Sequence, residues 1–74
     1  MKPFTKLRAK VFEKGYSEAD IAKLHNRGLT YVSQRFMARA EWTQGDQYFL
    51  MDLLNIPYVE MHEYFPPKGY PKND

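Results

Sequence analysis

Residues Ser17 to Arg39 read SEADIAKLHNRGLTYVSQRFMAR, and the fold turns on how this stretch divides in two. Ser17 is a good helix N-cap, Ile21 and Ala22 begin an apolar face, and Asn26-Arg27-Gly28 interrupts the pattern before Thr30 and Val32 restart it. That spacing predicts two short helices joined by a tight turn, a helix-turn-helix arrangement. The second helix is expected over Thr30 to Ala38, with Val32 and Phe36 four apart on one side. Thr30, Tyr31, Gln34 and Arg35 then point mainly elsewhere, as side chains able to reach base edges.

Toward the N-terminus, Leu7 and Val11 stand four apart with Phe4 adding to the apolar side, while Lys6, Arg8, Lys10 and Lys14 take the rest. This predicts a helix over Phe4 to Lys14, opened by Pro3 and ended by Gly15. Tyr16 can pack back as a staple residue before the Ser17 cap. The next helix runs Glu18 to about His25, with Glu18 and Asp20 in its first turn, where negative charge complements the helix dipole. In the turn, Asn26 stands where glycine is commonest and tolerates the same left-handed conformation. His25 reads as a capping or partly buried side chain rather than a ligand or a general base.

Toward the C-terminus, Thr43 is the natural cap of a helix from Gln44 to Asn55. Its Tyr48, Leu50, Met51, Leu53 and Leu54 are too many apolar positions for a surface helix, so it must pack centrally. Pro57 suits the start of a short fifth helix ending near Tyr64. Pro66-Pro67 is expected to stop regular structure, which divides the chain into a folded domain at 1–66 and a loose tail at 67–74. No segment alternates as a strand would, so the fold class is all-α, a compact bundle of about five short helices.

Composition narrows the function. Seventy-four residues make one domain that buries only about 60% of its unfolded surface, too little for a large enzyme cleft. Without cysteine there is no disulfide or thiolate site, and His25 and His62 lie 37 positions apart, so neither metal nor other cofactor is expected. No stretch approaches the roughly 18 apolar residues of a membrane span, which points to a reducing, cytoplasmic home and no membrane partner. The net charge of +2 hides an asymmetry: nine Lys/Arg face three acids up to Arg39, and two lysines face six acids from Ala40 on. A basic half holding the second helix of the pair is the footprint expected when one face meets phosphates; the plainer alternative is ordinary solvated helix faces.

The order of elements, with SEADIAKLHNRGLTYVSQRFMARAEWT followed by LLNIPYVEMHEYF, resembles the Cro/repressor-type helix-turn-helix family of phage and bacterial regulators. The resemblance covers Phe4 to Phe65 and rests on the Ser17 cap, Ile21-Ala22, Val32-Ser33, the Trp42-Thr43 entry and the Leu54-Asn55-Ile56-Pro57 exit. It implies a lambda-repressor-like bundle and a transcriptional regulator that occupies a double-stranded operator. By that resemblance Thr30, Tyr31, Gln34 and Arg35 lie nearest the bases of the major groove. Lys10, Lys14, Lys23, Arg27, Ser33 and Arg39 contact the DNA backbone. A homodimer is implied, with Tyr58, Tyr64 and Phe65 as its surface. Glu18 departs from the family, standing where a glutamine often touches phosphate, and as a carboxylate it is expected to repel DNA there.

Two other classes remain. The scaffold can instead serve to bind a protein, as an inhibitor or antirepressor, with Glu41, Asp46, Asp52, Glu60 and Glu63 docking on a basic partner. Catalysis is not expected: Asp52, Glu60 and His62 have no phosphate loop, nucleophile elbow or metal spacing around them, and no small-molecule substrate is implied.

Overall fold

A computed structural model describes residues 2–71. Its α-helices are α1 (Thr5–Glu13), α2 (Glu18–Leu24), α3 (Leu29–Phe36), α4 (Gln44–Leu54) and the one-turn α5 (Met61–Tyr64). A 3₁₀ turn at Tyr58–Glu60 leads into α5, and another at Pro67–Gly69 follows it. The described residues contain no strand, so the all-α expectation holds. None of their helices is long and apolar enough to cross a membrane.

Local chemistry opens and closes these helices. At α2 the Ser17 hydroxyl accepts from the Asp20 N–H at 3.1 Å, and the Asp20 carboxylate accepts from the Ser17 N–H at 2.8 Å. Thr43 and Asp46 repeat this reciprocal box at α4, both bonds at 3.0 Å. The four longer helices all end in one way. A residue with positive φ (Gly15 83°, Asn26 56°, Ala38 61°, Asn55 58°) follows the helix, and the next N–H reaches back to a carbonyl of the last turn. In α3, Ala38 N–H bonds Arg35 O at 3.1 Å and Arg39 N–H bonds Gln34 O at 2.8 Å. This left-handed Ala38 is why α3 stops at Phe36 instead of reaching Ala38.

Leu7 and Val11 from α1, Ile21 and Ala22 from α2, Val32 and Phe36 from α3, and Leu50, Met51 and Leu54 from α4 form the core. Trp42 closes one end, packing edge-to-face on Phe36 with centroids 5.0 Å apart. Each such side chain contributes roughly 1.5–3 kcal/mol by leaving water, so thirteen buried apolar residues hold a chain of this size without cross-links.

The C-terminal expectation needs correction. Pro67–Gly69 is not loose chain: it forms a turn docked on the N-terminus, where Phe4 N–H donates to Gly69 O at 2.7 Å. Gly69 is buried at φ 85°, and a Cβ there would stand 2.4 Å from Pro3 Cβ. No other residue fits that approach. Lys72 to Asp74 of the expected tail lie outside the described residues.

Candidate nucleic-acid interface

The turn His25-Asn26-Arg27-Gly28 joins α2 to α3, and those two helices make the most extensive helix pairing in the molecule. Two polar anchors set their geometry. The first is Arg8 of α1. Its Nη2 donates to Phe36 O at 2.6 Å, its Nε donates to Pro3 O at 2.7 Å, and its Nη1 lies 3.5 Å from Glu18 Oε2. Glu18 in turn accepts from the Ser33 hydroxyl at 2.9 Å. The carboxylate expected to face and repel phosphate is thus half-buried and spent on Arg8 and Ser33.

The second anchor is Asp46, in the first turn of α4 and only 1% exposed. Beyond capping Thr43, it accepts from His25 Nε2 at 2.6 Å and from the Tyr31 hydroxyl at 2.8 Å. Arg35 Nε stands 3.5 Å from its Oδ2, close enough for charge attraction but without hydrogen-bond alignment. Burial pushes the Asp46 carboxyl up, yet the bonds from His25, Thr43 and Tyr31 together outweigh it and hold the group below the usual carboxylate range. With an ionised carboxylate as acceptor, His25 Nε2 carries the proton. The imidazole stacks on Phe49, centroids 4.1 Å apart, so His25 is a structural pin between turn and α4.

These anchors sort the residues of α3. Val32 and Phe36 are buried, and Thr30 and Gln34, also four apart, lie on the outward side, with Thr30 exposed and Gln34 half-buried. The Tyr31 hydroxyl is committed to Asp46, and its ring lies between two guanidinium groups, Arg35 at 3.3 Å and Arg27 at 4.9 Å from the centroid. Arg35 also donates to Tyr31 O at 3.0 Å. Arg27, Tyr31 and Arg35, spaced by four, therefore form one cationic stack, in which Tyr31 and Arg35 are tied inward to Asp46 and Arg27 is the exposed end. The Ser33 hydroxyl serves Glu18.

Of the expected backbone-contacting cations, Lys14, Lys23, Arg27 and Arg39 are exposed, while Lys10 pairs with Glu13 at 3.2 Å. Arg8, Glu18 and Asp46 were missed as organisers of this surface. Thr43 was legible as the cap, while the role of Asp46, three residues on in the same capping box, and its other three partners were not. Leu29, 52% exposed at the start of α3, also belongs to the surface and carried no sequence signal beyond its place after Gly28.

The surface expected for a dimer is corrected in one of its three residues, Tyr64. Tyr64 is buried in the monomer core, and Phe65 is half-buried against Phe4 and Trp42. Tyr58 is exposed, its ring edge-to-face with Tyr48 at 4.9 Å and its hydroxyl donating to Asp52 at 2.5 Å. Asp46 likewise leaves the set of acids imagined to dock on a basic partner, because it is buried. Among the described residues no group of three or more His, Asp or Glu side chains is placed to hold a metal. Compared with known proteins, the chain matches no family model, no curated protein and no solved structure.

Proposed function

We propose that this chain is a sequence-specific double-stranded DNA-binding regulator of the phage or prophage repressor type, with α3 entering the major groove. The observation that carries the reading is the outward face of α3. It offers Thr30 and Gln34 beside the Arg27–Tyr31–Arg35 stack, on a helix that Asp46 and Arg8 hold rigidly from behind. Gln34 has the amide geometry to pair with adenine N6 and N7, and Thr30 has a methyl group for thymine. Arg27, Lys14, Lys23 and Arg39 supply charge for phosphates, and the occupancy of an operator requires no chemistry from the protein. Two copies bridged through Tyr58 and Tyr48 would read half-sites about one helical turn apart.

The test is selection from a random duplex library by mobility shift at low and moderate salt, with Gln34→Ala and Arg27→Ala as variants. Gln34→Ala should weaken the preferred site by about 1–3 kcal/mol and spare random duplex, whereas Arg27→Ala should weaken both alike. Equal behaviour of the two variants sinks the placement of α3.

One observation favours a second reading, a protein-binding inhibitor or antirepressor. Leu24 and Leu29, 53% and 52% exposed, flank the turn, and phosphates offer nothing to leucine. Absence of any salt-sensitive DNA retention would put this reading first.

A further inference from the structure

Four cations lie over aromatic rings among the described residues: Lys6 over Tyr64, Arg8 over Phe36, and both Arg27 and Arg35 over Tyr31. Three of them also meet a carboxylate, Lys6 at Glu63, Arg8 at Glu18 and Arg35 at Asp46, so their charge is answered inside the protein. Arg27 is the exception. It is exposed, and among the described residues no carboxylate stands at ion-pair distance from its guanidinium.

Both ends of Arg27 are held. Its backbone N–H donates to Ala22 O at 2.9 Å, where α2 closes, and its guanidinium carbon lies 4.9 Å from the Tyr31 centroid. The ring is itself fixed: its hydroxyl donates to the buried Asp46 at 2.8 Å, and the Arg35 guanidinium covers it at 3.3 Å. A long side chain loses rotamer freedom when it grips a partner, and a ring that already holds it reduces that loss. Arg27 is therefore oriented before a partner arrives, with its charge still unanswered. Lys14, Lys23 and Arg39, exposed cations of the same half of the chain, lie over no ring among the described residues.

From these observations we propose that Tyr31 is a positioning residue rather than a base reader, and that it lays out the Arg27 guanidinium for one phosphate of the DNA backbone. The inference rests on the DNA-binding reading above and adds to it which cation fixes the register of α3 in the groove. A guanidinium presents its donors as a planar fork that matches two phosphate oxygens, which the point charge of a lysine does not. Such backbone contacts set where a protein sits without reading sequence. Lys14, Lys23 and Arg39 then add charge without a fixed direction.

The test is a double-mutant cycle on affinity for the duplex selected from the random library, read by mobility shift at several salt concentrations. Its variants of the full chain are Arg27→Lys, Tyr31→Leu, the two combined, and Tyr31→Phe. Arg27→Lys keeps the charge, so the dependence of affinity on salt should match that of the native chain. Binding should nonetheless weaken about two- to five-fold, the size of an exposed cation–ring contact. Tyr31→Leu should weaken binding to the same degree and add nothing on top of Arg27→Lys, whereas Tyr31→Phe, which keeps the ring, should bind as the native chain does. Should Tyr31→Leu fail to fold, Arg27→Lys still decides, because Arg27 is exposed. Native affinity in Arg27→Lys, or additive losses in the combined variant, overturns the positioning role and leaves DNA binding standing. No retention of the native chain even at low salt overturns DNA binding and this role together.

Discussion

The chain carries one local motif twice, at Ser17-x-x-Asp20 and Thr43-x-x-Asp46, and the two copies end in opposite surroundings. Both are complete capping boxes with hydrogen bonds of 2.8 to 3.1 Å. Asp20 remains exposed, and its carboxyl is held below the usual range by the Ser17 N–H and then by the Ser17 hydroxyl. Asp46 lies beneath the α2–α3 turn and collects His25 and Tyr31 as well. A cap satisfies the first turn of its own helix; a cap that a third element covers becomes a tertiary tie. Water screens and replaces the bonds of the first, and nothing replaces those of the second.

Asp46→Ala should test that contrast most severely. It leaves the His25 N–H, the Tyr31 hydroxyl and the Thr43 N–H short of an acceptor, and an expected loss of about 3–5 kcal/mol would be read from urea unfolding. A loss no larger than that from Asp20→Ala would show that burial adds nothing to the motif.

Tyr31→Phe is the next largest. It keeps the ring between Arg27 and Arg35 but removes one donor to Asp46, and should cost about 1–2 kcal/mol. If stability is unchanged, the Tyr31 hydroxyl is not part of the tie.

Acidification sharpens the comparison further. A folded-state pKa below the unfolded one means that Asp46 stabilises the fold fully above the ordinary value near 3.8, and that this contribution is lost as pH falls toward the lowered folded value. The urea midpoint of the native chain should therefore drop more steeply from pH 7 to about pH 3 than that of Asp46→Asn. Parallel slopes would place the acid-labile bonds elsewhere. The smallest effect is expected from Asp20→Ala, whose exposed carboxylate has water as a substitute acceptor. A drop rivalling that of Tyr31→Phe would reverse the ranking of the two boxes.

The helices were legible because periodicity and caps are local. Ser17, Thr43, Asn26 and Asn55 mark their own ends, and Val32 with Phe36 marks the buried side of α3. Thr30 and Gln34 follow from that same 3.6-residue period and lie outward as expected. The positions whose roles local pattern does not set depend on partners far away in the chain. Tyr31 and Ser33 bond residues 15 positions distant, Asp46 and Glu18. Arg8, one cation among many in the sequence, reaches 28 positions to the Phe36 carbonyl. Gly69 has no local signal of order; the Phe4 N–H and the Pro3 ring, 65 and 66 positions away, hold it in place.

What the sequence determined by itself is the all-helical class, the places where four helices begin and end within a few residues, and the inward and outward sides of α3. These depend on hydrogen bonds and spacings within about one turn, which travel with the residues wherever they go. Only the tertiary structure decided which charges are available to a partner. Glu18, Arg8, Arg35 and Asp46 neutralise or occupy one another across elements, while Lys14, Lys23, Arg27 and Arg39 stay toward solvent. Desolvation and long-range pairing set that division, because they depend on what covers a side chain, and no local pattern encodes the cover.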